Sequence, residues 1–218
     1  MNPTEVEFLV RFICESDAIE GIADDQSLVR TQIEQKYTRG HVGALLLLRE
    51  HAMHKVPLRQ ILVLQTQSLI VSEQEEKGER EIAEKYRGSW RDCDVWIVKR
   101  VGGEIVEKRK TVSPAHVHSR MSTLIEKIAR WQARCHKLSA EKTVTAIARF
   151  HYEYERIHPF IDGNGRSGRA LVYYLYRFAE LEPFIFTSAD RGETYYQCFR
   201  DPIKMVEYFR ERTVLLPR

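Results

Sequence analysis

The segment 157–169 constrains the fold more than any other, because it predicts a helix, a tight glycine loop and a second helix in that order. Pro159 cannot continue a helical hydrogen-bond ladder, so the first helix should end there. Gly163 and Gly165 permit positive φ and leave backbone N–H groups uncovered. At the N-terminus of the second helix, such N–H groups form an anion site.

The side chains of the same segment carry complementary chemistry. Arg166 and Arg169 are three residues apart on the second helix, so both are expected to face one bound anion. Asp162 offers a hard oxygen ligand of the kind that Mg²⁺ shares with phosphates. The imidazole of His158 can take a proton from a hydroxyl group. Together these groups predict transfer chemistry on a nucleotide phosphate.

The rest of the chain has mostly helical periodicity. Helices are predicted at residues 4–19, 25–37, 43–54, 58–70, 117–136, 140–157, 165–181, 192–199 and 202–212. Thr4 is the expected N-cap of the first helix, and Gly21 its C-terminal glycine. The charged stretch 72–84 is expected to be a solvated helix or loop. Residues 94–101 and 104–112 alternate around Gly102 and Gly103, which indicates a β-hairpin. We therefore predict an all-α body with one inserted hairpin.

Composition narrows the class of protein. A chain of 218 residues with a net charge of +3 suits one domain or one domain with a small helical extension. The basic balance is too weak to indicate nucleic-acid binding. The four cysteines form no C-x-x-C pair and are expected to be free thiols in a reducing compartment. We see no signal peptide and no apolar run long enough to span a membrane, so we expect a cytoplasmic protein.

Residues 158–169 resemble the signature of the Fic family, H-x-F-x-[D/E]-G-N-G-R-x-x-R, at every fixed position. The hairpin resembles the flap of that family, and the helix before His158 resembles the one that leads into the signature. The resemblance covers about residues 85–200. It implies the Fic fold, a helical bundle with a β-hairpin flap. It also divides the chain into an N-terminal helical region, 1–84, and a catalytic core, 85–218, that contains the flap hairpin at 94–112.

The resemblance also implies an activity, in which AMP moves from ATP to a hydroxyl group of a target protein and pyrophosphate leaves. His158 would be the general base, Asp162 would hold Mg²⁺, and Phe160 would anchor the loop in the core. The flap would dock an extended target segment by strand addition. The implied nucleotide-binding groups are the loop backbone, the Asn164 side chain and two guanidinium groups, contributed by Gly163, Asn164, Gly165, Arg166 and Arg169.

A second motif lies near the N-terminus. Ser16, Glu20 and Gly21 fit the inhibitory pattern of the family, [S/T]-x-x-x-E-[G/N]. Ser16 and Glu20 are four residues apart and share a helix face. Glu20 is expected to pair bidentately with Arg169 and to displace the γ-phosphate of ATP. The plainer interpretation is a helix that ends at Gly21 with Glu20 in solvent.

Several alternatives stay open at this point. Glu20 can also be interpreted as positioning a water that removes AMP from a target. Use of another nucleotide donor, or a regulatory module that binds nucleotide without turnover, fits the same residues. His151 lies seven residues before His158, but such a histidine is more often packed in a core than catalytic. The sequence identifies neither the target protein nor whether the chain forms a homo-oligomer.

Overall fold

The computed structural model describes residues 1–74, 82–101 and 104–214. The described residues form eight α-helices and one antiparallel hairpin. The helices are α1 (Pro3–Ile19), α2 (Gln26–Glu34), α3 (Gly40–Met53), α4 (Gln60–Ile70), α5 (Pro114–Gln132), α6 (Ala140–Ile157), α7 (Asn164–Phe178) and α8 (Pro202–Arg212). The strands are β1 (Trp96–Val101) and β2 (Glu104–Lys110). The predicted all-α body with one hairpin is confirmed.

The two ends of α1 differ in how well the sequence predicted them. The expected N-cap Thr4 is wrong: the cap is Asn2, whose Oδ1 accepts a hydrogen bond from the Glu5 N–H at 2.8 Å. Pro3 therefore occupies the first helical position, where its missing N–H costs nothing. At the other end Gly21 has φ +85° and its N–H bonds to Ala18 O at 3.0 Å, as expected for a C-terminal glycine.

The ends of several helices lie one to four residues from their predicted positions, and two predicted segments need separate description. Residues 192–199 do not form a regular helix but a π-helical turn, Arg191–Tyr195, followed by a 3₁₀ turn, Tyr196–Arg200. The charged stretch begins with a 3₁₀ turn at Val71–Glu73, and its residues 75–81 lie outside the described residues, as do Gly102 and Gly103 of the predicted hairpin turn. Neither difference alters the bundle. No helix of the described residues is long and apolar enough to cross a membrane.

Helix α7 is the centre of the bundle. Its stretch Leu171, Val172, Tyr173, Tyr174, Leu175 and Tyr176 is buried on every side. A helix that is apolar all round must lie inside the protein. Helices α3, α4 and α6 pack against it, while α5 and α8 pack mainly against α6. Helices α3 and α4 precede position 84 in the chain and pack on α7, which follows it. The division into an N-terminal region and a catalytic core at that position stays a prediction.

Helix α1 is held against this core by rings and by charge. Phe8 and Phe12 lie against Tyr173, with ring centroids 6.1 and 5.8 Å apart. Asp17 Oδ1 and His41 Nδ1 form a buried contact of 2.9 Å between α1 and α3. These contacts fix the position of the C-terminal turn of α1, where Ser16 and Glu20 lie.

The hairpin β1–β2, which we call the flap, is fastened to the segment that precedes α8. Its backbone register runs from Trp96 opposite Lys110 to Val101 opposite Glu104, with one irregularity between Lys99 and Arg100. Arg109 donates from Nη1 to Phe199 O at 2.9 Å. Glu107 of the flap pairs with Arg200, with Oε2 and Nη2 2.7 Å apart.

Arg91 joins the flap to the loop that contains His158. Its side chain is almost fully buried, at 2% exposure. Nε donates to His158 O at 2.7 Å, and Nη2 donates to Thr111 Oγ1 at 3.0 Å and to Val112 O. The Arg91 N–H donates to Pro159 O at 3.0 Å. One side chain therefore holds the base of the flap and the loop at a fixed separation.

The substitution Arg91→Met should destabilise the fold strongly. It would leave several buried carbonyl groups without donors, and each unsatisfied group costs about 1–3 kcal/mol. We expect the free energy of unfolding to fall by roughly 3 kcal/mol or more in urea titrations. The exposed Arg59 offers a matched control, and Arg59→Met should leave stability within about 0.5 kcal/mol of the wild type. Equal stability of the two variants would contradict the role given to Arg91.

Candidate active site

The loop between α6 and α7 is built from residues in unusual backbone conformations. His158 ends α6 in the left-handed region, with φ +52°, and its N–H bonds to Tyr154 O at 2.9 Å. Phe160 is fully buried and stacks near Trp90, with centroids 5.1 Å apart. Gly163, with φ +75°, precedes the first turn of α7. The loop is thus anchored by Phe160, as the resemblance implied, and opens onto a helix N-terminus.

The Asn164 side chain closes this loop. Its Oδ1 accepts from the Phe160 N–H at 2.9 Å, and its Nδ2 donates to Phe160 O at 3.0 Å. Both polar atoms of the amide are bonded within the loop and the residue is buried, but Nδ2 carries a second hydrogen. The expectation that this side chain contacts phosphate stays a prediction.

Asp162 presents a carboxylate at the mouth of the loop. Its side chain is 49% exposed, and Oδ1 accepts from the Gly163 N–H at 2.5 Å. Arg166 Nη2 lies 3.9 Å from Oδ1, and Gln74 Nε2 lies 3.3 Å from Oδ2. The described residues contain no group of three potential metal ligands. A single exposed carboxylate fits Mg²⁺ that takes its other ligands from phosphates and water.

His158 carries an imidazole that is neutral at physiological pH. Burial, with a smaller contribution from the nearby Arg91 guanidinium, lowers its pKa to about 4, against a raising effect of the Glu155 backbone. Nδ1 is buried and has no hydrogen-bond partner among the described residues. A neutral ring keeps one nitrogen free of a proton, so His158 is in the form that accepts a proton from a hydroxyl group.

Arg169 is bonded to the C-terminal end of α1. Its Nε donates to Ser16 Oγ at 2.9 Å, and its Nη2 donates to Ser16 O at 2.8 Å and to Glu20 Oε1 at 2.7 Å. The predicted pairing of Arg169 with Glu20 is therefore present, but the expectation that it is bidentate is wrong. Among the hydrogen bonds of the described residues, Arg169 binds one oxygen of Glu20 and two oxygens of Ser16. Burial opposes the charge of Arg169, yet the Glu20 carboxylate holds its pKa above the ordinary value.

Glu20 lies over the first turn of α7. A Cβ built on Gly165 would overlap Glu20 Oε1 and would come within 3.0 Å of Arg169 Nη1. The carboxylate thus occupies the space next to the helix N-terminus, where the sequence predicted an anion site. Only glycine at position 165 admits it so closely.

Three residues that the sequence analysis missed support the site. Arg91 is one of them. Gln67 is another: its Nε2 donates to Asp162 O at 3.2 Å and its Oε1 accepts from the Gly88 N–H at 2.7 Å. The third is Glu155. Arg91 and Gln67 form hydrogen bonds with loop residues that are distant in sequence, so no local sequence pattern identifies them.

Glu155 is a buried carboxyl group beside Arg169. Burial raises its pKa to about 8, with Arg169 lowering it and Glu20 raising it. Its Oε1 is buried without a hydrogen-bond partner among the described residues. A Cβ on Gly168 would overlap this oxygen, so glycine is required there. Because its pKa is about 8, the Glu155 carboxyl group is largely protonated at neutral pH.

His151 belongs to the core, in agreement with the interpretation favoured from sequence. It is fully buried, and its Nε2 lies 2.7 Å from Tyr195 Oη. The rings of Phe186, Phe199 and Phe209 surround it at centroid distances of 5.5–5.8 Å. Burial lowers its pKa to about 3, and the nearby Arg169 charge acts in the same direction.

Known proteins resemble this chain in sequence and in fold. The family model described as Fic/DOC family matches residues 59–176, more than half of the chain. The protein named protein adenylyltransferase Fic from Drosophila erecta is 36% identical over 76 residues, which are 35% of this chain and 15% of that protein. The matched part of the chain thus spans only a small share of that relative.

Solved structures share the fold over nearly the whole chain. A Fic domain containing signaling protein from Bacteroides thetaiotaomicron has a TM-score of 0.71 at 20% identity, covering 97% of this chain and 87% of that one. The BepC protein from Bartonella tribocorum, solved with bound AMPPNP, has a TM-score of 0.52 at 16% identity, covering 91% of each chain.

The substitution Gly165→Ala should reveal the closeness of Glu20 to the loop. In the wild-type background the new methyl group would displace the carboxylate from Arg169 and lower the melting temperature. In the Glu20→Gly background most of that overlap is gone, so the same substitution should cost less. A double-mutant cycle of melting temperatures measures this coupling, which we expect to be about 1 kcal/mol or more. Additive effects would show that Glu20 does not lie against Gly165.

The stability of the protein should depend on pH through Glu155. Its pKa is about 8 in the folded state against an ordinary value of 4.5, so the folded state binds an extra proton between these values. Below about 6.5 the lowered pKa values of His151 and His158 act in the opposite direction, so stability should fall with rising pH between about 6.5 and 8. Glu155→Gln should flatten this slope and should raise the melting temperature more at pH 8 than at pH 5. A matched Glu153→Gln variant on the same helix should keep the wild-type slope.

Proposed function

The chain belongs to the Fic/DOC family, and we propose that it is a protein adenylyltransferase that moves AMP from Mg-ATP to a Ser, Thr or Tyr hydroxyl of a target protein. The observation that carries this proposal is the site around the N-terminus of α7. A neutral imidazole, a half-exposed carboxylate and two buried guanidinium groups surround one glycine loop. The names of the adenylyltransferase relatives agree with it at the level of the family.

In this proposal His158 is the general base. The target hydroxyl oxygen forms a bond to the α-phosphorus, and the bond from that phosphorus to the pyrophosphate oxygen breaks. The hydroxyl proton passes to the imidazole of His158. The lowered pKa supports this role, because it keeps the ring unprotonated at neutral pH.

The other residues bind and orient the nucleotide. Asp162 would hold Mg²⁺, which neutralises developing charge on the phosphates. The backbone N–H groups of Gly163, Asn164 and Gly165 and the second amide hydrogen of the Asn164 side chain would bind phosphate oxygens at the positive end of the α7 dipole. The Gly163 N–H would first have to leave Asp162 Oδ1, to which it donates in this structure. Arg166, beside Asp162, would contact the β-phosphate region.

We further propose that Ser16, Glu20 and Gly21 form a brake. Glu20 and Ser16 use the guanidinium of Arg169 that the γ-phosphate would need. ATP that binds beside them would carry its α-phosphate out of line with His158. A displacement of about 1 Å can lower a rate on the order of 100-fold. The sharp end of α1 at Gly21 delivers the carboxylate to this position.

A second candidate function is removal of AMP from a modified target. The side chain of Glu20 is 31% exposed, and the hydrogen bonds among described residues use only one of its two oxygens. The other oxygen is free to hold a water molecule near the α-phosphate. Transfer from another nucleotide donor, or nucleotide binding without turnover, would also use Arg166 and Arg169.

Several finer points belong to the same proposal. We place the protein in the cytoplasm, with ATP and an unidentified protein as its partners and with a target segment docked on the flap. Whether a homo-oligomer forms is left to measurement.

The substitution Glu20→Gly should raise AMP transfer by about 10-fold or more, because Arg169 is then available to the γ-phosphate. Wild-type and variant proteins would be incubated with α-labelled ATP and a cell lysate, and label on protein would be counted. His158→Ala in the Glu20→Gly background should abolish the label. Glu34→Gly, which removes an exposed glutamate from the end of α2, is the matched control and should behave as the wild type.

The outcomes separate the candidates. Equal labelling by wild type and Glu20→Gly would contradict the brake. ATP binding without label in either form would indicate a module that only binds nucleotide. Loss of label from a previously modified target, dependent on Glu20, would indicate the reverse reaction.

A further inference from the structure

A large groove lies between α5, α6 and α8, outside the site described above. It encloses a cavity of about 810 Å³. Five cationic side chains and one acidic side chain line it. The cations are Arg120, Lys127, Arg149, Arg156 and Arg210, and the acid is Glu153.

The positive charge of this groove is only partly neutralised. Lys127 pairs with Glu153 at 3.4 Å, and Arg210 pairs with Glu141 at 2.9 Å. Arg120, Arg149 and Arg156 form no ion pair with any described residue. Three exposed arginines therefore share one concave surface without a counter-charge from the described part of the chain.

The floor and the position of the groove bear on what could bind there. Val112, Ile157 and Val206 give it an apolar floor. Ile203, beside them, is 65% exposed. One end of the groove lies where the flap returns to the bundle, because Val112 follows β2 closely. Ile157 in the same wall immediately precedes His158. The groove therefore reaches the residue that precedes the candidate base in the chain.

We propose that this groove binds an acidic segment of a partner protein, rich in Asp and Glu, with aliphatic side chains against its floor. That the partner is the target of AMP transfer rests on the proposed function. The segment would lie next to the hydroxyl-bearing residue, so the groove would select targets by an acidic stretch near the modified side chain.

The chemistry favours a peptide over a nucleic acid. The planar guanidinium group matches a carboxylate with two parallel hydrogen bonds. Nucleic-acid affinity comes mainly from many cations that follow a phosphate backbone, and the whole chain carries a net charge of only +3. An apolar floor framed by arginines suits alternating acidic and aliphatic side chains.

The test measures binding without catalysis. A fluorescently labelled Glu/Leu peptide, a Gln/Leu peptide, a phosphoserine/Leu peptide and a single-stranded oligodeoxynucleotide, all of one length, are titrated with the full chain and followed by anisotropy. The groove variant is Arg120→Glu/Arg149→Glu. The control variant, Arg130→Glu/Lys142→Glu, changes exposed residues of the same two helices outside the groove by the same charge.

We expect the Glu/Leu peptide to bind the wild-type protein. Its affinity for the groove variant should be about 10-fold or more weaker, and its affinity for the control variant less than about 2-fold weaker. No binding of that peptide, or equal loss in both variants, would overturn the proposal. Tighter binding of the oligonucleotide or of the phosphoserine peptide through the same arginines would overturn it in favour of a phosphate ligand. Because the readout is independent of transfer, an inactive Glu20→Gly enzyme would contradict the proposed function and leave this result standing.

Discussion

The buried guanidinium of Arg169 is the constraint on which the rest of the site depends. It projects from the central helix of the bundle, where a charge is stable only with close partners. Helix α1 supplies them through Ser16 and Glu20. The stacking of Phe8 and Phe12 on Tyr173 and the contact of Asp17 with His41 hold those partners in place. Under the proposed function, a triphosphate would have to satisfy the same buried charge, so the Glu20 carboxylate and the nucleotide would compete for Arg169.

The loop between α6 and α7 is rigid for a different reason. Its backbone polar groups are bound by side chains from distant parts of the chain. Arg91 binds the carbonyl of His158, Gln67 binds that of Asp162, and Asn164 closes the turn on Phe160. These bonds fix the imidazole and the carboxylate on either side of one helix N-terminus. Such preorganisation is what a site for phosphoryl chemistry requires, because positioning supplies much of the rate.

The sequence predicted local features well and long-range features poorly. Helix α6 was placed at its observed bounds, because Ser139 caps it and Pro159 follows it. The glycine loop and the pairing of Glu20 with Arg169 were also foreseen, since spacing and signature define them. Arg91 and Gln67 were missed because their partners lie far away in the sequence. The irregular turns at Arg191–Tyr195 depend on packing against α8, which no local pattern encodes.

Ser16 and Glu20 hold the Arg169 guanidinium in different ways. The hydroxyl oxygen and the carbonyl oxygen of Ser16 both accept hydrogen bonds from Arg169, and both acceptors are uncharged. The carboxylate belongs to Glu20, the residue that follows the last residue of α1, and it can be withdrawn by rotation of its own side chain. The serine is fixed to the helix backbone and stays behind. Two of the three hydrogen bonds that orient the Arg169 guanidinium therefore do not depend on the position of the Glu20 carboxylate.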